Sequence, residues 1–336
     1  EVSAAIRFKI YLLFCCQLCS KRICSKRDNV QVEVLCKQAV TTTYEIKVKG
    51  SEILMSDRLV NIIVHGLIRL MLLLPYDMRI VVFGKFVAYG IAPLAGYLKR
   101  AETHVMRIWP DLPARRRKEI SRACCDNLGR TMIENYSGEQ LQTIAEMANF
   151  VGPGMPALEK AKANKRPVIF VSGHFGNFEV PRRALHARGF DIGGIYRKMR
   201  NSHFNTHYEQ TMIGVSGPVF AQGIKGTLQF ARFLRSGGMG TILIDVRQGG
   251  RPDIDFLGRP APTSPAAADF ANRFDALLIP YFGRRLPDGK HFEVVIGTPI
   301  EHGEKSQMMQ DATNQLAELV KTYPEQYFWV HRRWRG

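Results

Sequence analysis

A histidine and a glutamate five positions apart, His174 and Glu179, have side chains suited to general-base chemistry. A carboxylate beside an imidazole can hold its tautomer and stabilise the imidazolium that forms when the ring takes a proton. Gly173 and Gly176 flank the histidine, where they allow backbone and substrate to approach closely, and Asn177 follows. A histidine near a carboxylate can equally be a helix cap or a surface pair, so both interpretations stay open at this point.

The elements around this motif predict how it is positioned. Residues 168–171 form a short apolar run rich in β-branched residues, which is typical of a buried strand. Residues 180–188 are predicted to be helical. The motif therefore lies where a strand meets a helix, a place where the crevice at the end of a sheet is open to ligands.

Strands and helices alternate after a Gly-Pro-Gly breaker at 152–154. This alternation predicts an α/β fold with a mixed, largely parallel sheet flanked by helices. Two helices are expected before the breaker. The predicted helices are 115–136, 140–149, 180–188, 202–213, 224–236, 264–273 and 308–323, and the predicted strands are 168–171, 193–197, 241–245, 277–282 and 292–296.

Two interrupted apolar stretches lie near the N-terminus, at 59–74 and 80–98. Neither is a clean spanning helix, which needs about 20 mostly apolar residues. They suit membrane-associated helices at the interface, with Arg69 and Lys85 reaching the headgroups, although a pair of buried core helices is the alternative. We expect residues 1–54 to be an N-terminal extension (a signal or anchor segment is the alternative), 55–100 to be membrane-associated helices and 101–336 to be the α/β catalytic domain.

Charge and cysteine content bound the possible partners. The 47 Lys and Arg against 30 Asp and Glu give a net charge of +17. Such a surface suits nucleic acid, anionic lipid or an acidic protein, or is simply a solvated basic surface. Five of the seven cysteines lie in the first 36 residues and show no disulfide or zinc pattern. The sequence therefore predicts a reducing compartment, no metal site and no cofactor.

Further candidate site residues follow other predicted strands. Arg197 ends one strand, where it could clamp a phosphate, stabilise an oxyanion or form a surface ion pair. Asp245 ends another, where it could support the site, pair with Arg247 or cap the turn. Residues 255–265 are predicted to be a Pro-rich loop with Thr263 and Ser264 near its end. Either residue could cap the next helix, and a free hydroxyl at that helix N-terminus could form an anion site.

The segment 329–335 mixes aromatic and basic residues. It could bind a headgroup or nucleic acid, or it could be a docked tail with cation stacking, and His331 within it is a second possible base. The sequence contains neither a Gly-x-Ser-x-Gly nor a His-Glu-x-x-His motif. Covalent serine hydrolysis and zinc proteolysis are therefore disfavoured.

Taken in order, these motifs resemble the late acyltransferases of bacterial lipid A biosynthesis, which belong to the glycerolipid acyltransferases with a His-x4-Asp/Glu motif. The resemblance covers about residues 55–334, and Asn127 and Glu134 are similar to the family's N-terminal helix pattern. The matching blocks are His-Phe-Gly-Asn-Phe-Glu at 174–179, Tyr-Arg at 196–197, the strand ending in Asp245, Phe-Leu-Gly-Arg-Pro-Ala-Pro-Thr at 256–263 and Pro-Glu-Gln-Tyr-Phe-Trp-Val-His-Arg-Arg-Trp at 324–334.

The resemblance implies transfer of an acyl chain from acyl-carrier protein to a hydroxyl of a lipid A precursor, at the cytoplasmic face of the bacterial inner membrane. His174 would be the base, Glu179 would orient it, and Arg197 would stabilise the oxyanion. Another glycolipid or lysolipid acceptor is the alternative, and nucleic-acid binding is a third function that we do not expect. The remaining residues assigned to substrate or oxyanion binding are Asn177, Asp245, Arg247 and Thr263.

Overall fold

The computed structural model describes residues 57–196, 215 and 217–334, together with four two-residue strands at 26–27, 30–31, 47–48 and 51–52. The N-terminal part of this range is helical. Its elements are α1 (Asp57–Leu72), α2 (Tyr76–Lys85), a π-helical turn (Phe86–Ile91), a single turn (Ala92–Leu94), α3 (Tyr97–Ile108), α4 (Ala114–Asn135) and α5 (Gly138–Glu146).

The remainder alternates between strands and helices. The strands are β1 (Asn149–Val151), β2 (Val168–Ser172), β3 (Ile192–Tyr196), β4 (Val219–Ala221), β5 (Met239–Leu243), β6 (Asp253–Phe256), β7 (Arg259–Pro262), β8 (Leu277–Arg285) and β9 (Phe292–Ile296). The helices are α6 (Met155–Ala163), α7 (Val180–His186), α8 (Ile224–Arg235), α9 (Ala266–Phe274) and α10 (Lys305–Thr322), followed by a 3-10 turn (Pro324–Gln326).

The main sheet has seven strands in the order β1-β9-β8-β2-β5-β3-β4. The β8–β9 pair is antiparallel, and the five other pairs are parallel. The predicted α/β fold with a mixed, largely parallel sheet is therefore confirmed. Because β2, β3, β4, β5 and β8 run in one direction, their carboxyl ends share one edge of the sheet.

Helices cover both faces of this sheet. On one face, Val168 and Phe170 of β2 pack with apolar residues of α5, α6 and α7. On the other face, Ile169 and Val171 pack with α8, α9 and α10. All five residues of β2 are buried, which explains why residues 168–171 are continuously apolar rather than alternating.

The N-terminal helices join the sheet through α4. Helix α2 crosses α4 closely where Gly84 faces Gly129, since a Cβ built on Gly129 would lie 2.9 Å from the Gly84 Cα. Among the described residues, no single helix is long and apolar enough to cross a membrane. One bent pair, residues 76–94 and 97–108 at 88°, passes that test of length and composition.

Several elements differ from the sequence-based expectation. The predicted Pro-rich loop at 255–265 contains strand β7, which forms a hairpin with β6. Prolines are tolerated in such a two-stranded ribbon because an edge strand does not need every N–H. Helix α5 ends before 149, since Asn149 begins β1. The predicted helix at 202–213 lies outside the described residues.

Candidate active site

His174 and Asp245 meet at the carboxyl edge of the sheet. Strands β2 and β5 are parallel neighbours, with Ser172 opposite Leu243. His174 lies two residues beyond Ser172, and Asp245 lies two residues beyond Leu243. The strand register therefore places the two side chains next to each other.

Asp245 holds both the backbone and the ring of His174. Its Oδ1 lies 2.8 Å from Nδ1 of His174, and its Oδ2 accepts the backbone N–H of His174 at 2.9 Å. Burial alone would raise the pKa of Asp245, but the charge of His174 and its two hydrogen bonds outweigh burial and lower this pKa to about 2. The carboxylate is therefore ionised, Nδ1 carries the ring proton, and Nε2 is the nitrogen able to take a proton from a substrate.

Two aromatic rings flank the imidazole. The ring centroid of Phe178 lies 5.1 Å from that of His174, and the ring centroid of Phe328 lies 5.8 Å from it. The backbone N–H of Phe328 also donates to the carbonyl oxygen of His174 at 3.0 Å. The side chain of His174 remains 14% exposed, so a substrate can reach this partly enclosed base.

Glu179 does not hold the imidazole, which corrects the expectation that it would orient His174. No hydrogen bond joins these two residues, both of which lie in the described range. Glu179 is positioned at the start of α7, and its Oε2 lies 3.6 Å from Nη1 of Arg182, one helical turn away. Its carboxylate therefore turns towards the helix rather than towards the ring, and a catalytic role for Glu179 stays a prediction.

Asn177 is fully buried, and both ends of its amide are engaged by the protein. Its Nδ2 donates to Oε2 of Glu134 at 2.9 Å, and its Oδ1 accepts the backbone N–H of Glu179 at 3.1 Å. The amide is thus committed to holding the turn that contains the His-x4-Glu motif. This geometry favours a structural contribution over direct binding of a substrate.

Arg247 and His331 are linked through the backbone. The N–H of Arg247 donates to Nε2 of His331 at 3.0 Å. Burial lowers the pKa of His331 to about 3, against a smaller opposing effect of Asp245. His331 is therefore a neutral acceptor, and its suggested role as a second base is wrong. The side chain of Arg247, two residues after Asp245, is exposed, and it stays a predicted anion-binding group.

Thr263 does not form the expected anion site. Its hydroxyl is buried, donates to the carbonyl oxygen of Ala261 and accepts a hydrogen bond from Nη2 of Arg333 at 2.6 Å. The next helix, α9, begins only at Ala266, whose N–H donates to Oγ of Ser264. Because the hydroxyl of Thr263 is engaged by Ala261 and Arg333, it is not available to an anion. It instead anchors the C-terminal segment through Arg333.

The segment after residue 328 is a docked tail, one of the two alternatives for it. Trp329 and Trp334 are buried, and their indole N–H groups donate to the carbonyl oxygens of Pro324 and Phe256. Arg333 is buried as well. The aromatic residues of the tail are thus part of a hydrophobic core and are not presented to a partner.

Arg197, the predicted oxyanion donor, lies outside the described residues. Its strand, β3, is described as far as Tyr196 and shares the carboxyl edge with β2 and β5. Three features of the site were not predicted from the sequence: the direct pairing of Asp245 with His174, and the contacts of Thr131 and of Arg285 around the motif. The pairing of Asp245 with His174 could have been predicted, because both residues lie at or just after the ends of predicted strands.

The site thus contains an imidazole held by an ionised carboxylate, a pairing suited to removing a proton from a hydroxyl. The family model for bacterial lipid A biosynthesis acyltransferases matches residues 47–336, which is most of the chain. The chain belongs to this family. It is therefore an acyltransferase of lipid A biosynthesis.

Individual relatives agree with this assignment. The chain is 26% identical over 245 residues to lipid A biosynthesis acyltransferase 2 of Shigella flexneri, covering 65% of this chain and 76% of that protein. It is 23% identical to the lipid A biosynthesis acyltransferase of Haemophilus influenzae, covering 69% and 73%. It is also 27% identical to the lipid A biosynthesis lauroyltransferase of Escherichia coli, covering 54% and 60%.

Replacing Asp245 with Asn tests which carboxylate holds the base. An amide has one acceptor oxygen, so it cannot accept both hydrogen bonds from His174, and acyl transfer should fall by roughly 10²–10⁴-fold. The downfield proton resonance of His174 Nδ1–H should be lost in Asp245→Asn and kept in Glu179→Gln, as measured by NMR of protein with ¹⁵N-labelled histidine. Loss of that resonance only in Glu179→Gln would reverse the assignment.

The buried histidines predict how stability depends on pH. Burial lowers the pKa of His104 to about 4 and that of His331 to about 3, both from 6.5. The unfolded chain therefore binds protons that the folded chain does not, and stability should fall as the pH drops below about 6.5.

The variant His331→Gln should reduce this slope by up to about 1.4 kcal/mol per pH unit, because it removes one such proton. Chemical denaturation between pH 6 and pH 4.5 measures the slope. Equal slopes for the variant and the wild type would contradict a buried, neutral His331.

Proposed function

We propose that this acyltransferase moves a fatty acyl chain from acyl-carrier protein to a hydroxyl of a lipid A precursor, with His174 as the general base. The observation that supports this mechanism is the His174–Asp245 pair. Its Nδ1···Oδ1 distance of 2.8 Å leaves Nε2 as the proton acceptor at the open edge of the sheet.

The reaction needs no acyl-enzyme. Nε2 of His174 takes the proton of the acceptor hydroxyl as that oxygen attacks the thioester carbonyl carbon. The tetrahedral intermediate then collapses, the C–S bond breaks, and the proton on His174 passes to the leaving thiolate. Asp245 stabilises the imidazolium between these two proton transfers, and a positioned base of this kind contributes roughly 10²–10⁴-fold to the rate.

The oxyanion of the tetrahedral intermediate requires hydrogen-bond donors. We assign this role to Arg197, which directly follows Tyr196 of β3 at the edge that contains His174 and Asp245. Arg247, exposed two residues after Asp245, is assigned to an anionic group of one substrate. Removing a single donor of this type from an oxyanion site costs roughly 10²–10³-fold in rate.

The net charge of +17 suits an acidic acyl-carrier protein and a phosphorylated acceptor. Arg182 and Arg183, which follow the His-x4-Glu motif, are buried and do not offer their charge to a docking protein. Lys198 and Arg200, which follow Arg197 in the sequence, lie outside the described residues. Exposed basic residues in the described range include Lys99, Arg115, Arg116, Lys118 and Arg251.

We place the protein at the cytoplasmic face of the bacterial inner membrane. The N-terminal helices expose an unusual number of large apolar side chains, and Leu73 is 81% exposed. Apolar exposure on this scale suits insertion into the interface, with basic residues nearby for anionic headgroups. The exposed apolar residues of this region are Ile62, Leu70, Leu73, Met78, Val81, Val82, Phe86, Tyr89 and Leu94.

The acceptor can be tested directly with purified protein and acyl-carrier protein that bears a labelled acyl chain. We expect acylation of a lipid A precursor and little acylation of a lysophospholipid, because the family acts in lipid A biosynthesis. His174→Ala should reduce transfer by at least about 10²-fold, since it removes the base. Labelled products are separated by chromatography, and their masses identify the acylated species.

Acylation of the lysophospholipid alone would refute the proposed acceptor while leaving the mechanism intact. A rate for His174→Ala close to that of the wild type would refute the mechanism. Salt-sensitive binding of DNA by a protein that acylates neither lipid would favour the nucleic-acid function instead.

Membrane attachment can be tested with the variant Leu73→Ser/Val82→Ser/Phe86→Ser. Each exposed side chain contributes about 1.5–3 kcal/mol when it is fully removed from water, so the triple variant should bind anionic vesicles at least 100-fold more weakly. A sedimentation assay with phosphatidylglycerol-containing vesicles measures this binding. The variant Ile224→Ser/Leu228→Ser is a matched control, because both residues are well exposed on α8. Equal loss in the control would contradict attachment through the N-terminal helices.

A further inference from the structure

Helix α4 directs three polar side chains towards the turn that contains His174. Asn127, Thr131 and Glu134 are spaced by four and three residues, which puts them on one face of the helix. We call these three residues the α4 polar face. Thr131 and Glu134 are buried in the protein interior, where polar groups need specific partners.

Those partners are the backbone and side chain of two consecutive residues in the His-x4-Glu motif. Nδ2 of Asn127 and Oγ1 of Thr131 both donate to the carbonyl oxygen of Gly176, each at 3.0 Å. Oε2 of Glu134 accepts from Nδ2 of Asn177 at 2.9 Å. One helix face therefore fixes two residues that lie between the base and Glu179.

Gly176 cannot be fixed by a side chain of its own. Its φ is +54°, and a Cβ built there would lie 1.9 Å from the carbonyl oxygen of Gly283, so the position requires glycine. Its N–H donates to the carbonyl oxygen of Gln326, and the N–H of Asn177 donates to that of Gly283. The α4 polar face completes this set by holding the carbonyl side of the same turn.

Arg285 contacts all three residues of the face, and its Nη2 donates to Oγ1 of Thr131 at 3.4 Å. Its Nη2 donates to Oε2 of Glu134 at 2.8 Å, its Nε donates to Oδ1 of Asn127 at 2.8 Å, and Nη1 contacts the second oxygen of Glu134. Glu134 is fully buried, and Arg285 is nearly so. Since a buried ion pair is weak evidence for stability, its contacts suggest that it serves to hold one geometry.

We infer that Asn127, Thr131, Glu134 and Arg285 are positioning residues for the acyl transfer reaction. They hold Gly176 and Asn177 in place, so that His174, two residues earlier, keeps its ring against Asp245. The inference rests on the proposed function for its kinetic test. A displacement of about 1 Å in a catalytic group can lower a rate by about 10²-fold.

Thr131→Val is the sharpest kinetic test, because it replaces the hydroxyl with a methyl group of similar size. We expect kcat for acyl transfer to fall about tenfold and KM to stay within about twofold, since the base moves while the substrate surfaces do not. Thr131→Ser, which restores the hydroxyl, should recover most of the wild-type kcat. Thr313→Val is the matched control, because Thr313 is equally buried, bonds the Met309 carbonyl within α10 and should keep the wild-type kcat.

The inference is overturned if Thr131→Val and Thr313→Val have the same kcat, or if Thr131→Ser fails to recover activity. Should Thr131→Val not fold, Asn127→Ala removes the other donor to Gly176 at a more exposed position, and the same kinetic result is expected. Wild-type kcat in a folded Asn127→Ala would then overturn the inference.

A second readout does not need a substrate. The proton resonance of His174 Nδ1–H should shift or broaden in Thr131→Val and stay in place in Thr313→Val. An unchanged resonance in both variants would overturn the inference. If the wild-type protein acylates no lipid A precursor, the proposed function fails, and this resonance still tests the positioning role.

Discussion

The buried carboxylate of Asp245 is the constraint on which the rest of the site depends. An ionised carboxylate that is 1% exposed has lost its hydration, and it must be compensated by donors in fixed positions. Both compensating donors come from His174, one from its backbone and one from its ring. The backbone and the imidazole are thereby fixed as a unit. Because Asp245 and His174 follow adjacent parallel strands, the geometry of the pair is set by the register of the sheet.

Two histidines lie near this carboxylate and behave differently. His174 gives its Nδ1–H to the carboxylate, whereas His331 accepts an N–H from Arg247. Desolvation keeps the pKa of His331 low, so His331 does not become a competing cation for Asp245. The imidazole of His174 can therefore take part in proton transfer, whereas the imidazole of His331 acts as a structural hydrogen-bond acceptor.

Strands could be predicted from the sequence where the apolar runs are long. The five predicted strands are present, with β9 at 292–296 as expected, and their boundaries differ by three residues or fewer. The sequence did not predict β1 or β4, since strands of three residues lack a readable period, and it also did not predict helix α6. Within the site, motif spacing suggested Glu179 as the partner of His174, because the two are close in the chain. The observed partner is 71 residues away, and only the pairing of β2 with β5 brings it near.

The docked C-terminal tail affects the order in which the site is completed during translation. Phe328 bonds the backbone of His174, His331 bonds the backbone of Arg247, and Arg333 bonds Thr263. These contacts come from residues that are synthesised long after the strands they support. The hydrogen bond from Phe328 to His174 can therefore form only after the stretch around residue 330 has left the ribosome. Trp329, Val330 and Trp334 also belong to a hydrophobic core, so the last part of the chain to be synthesised completes both the packing and the position of the base.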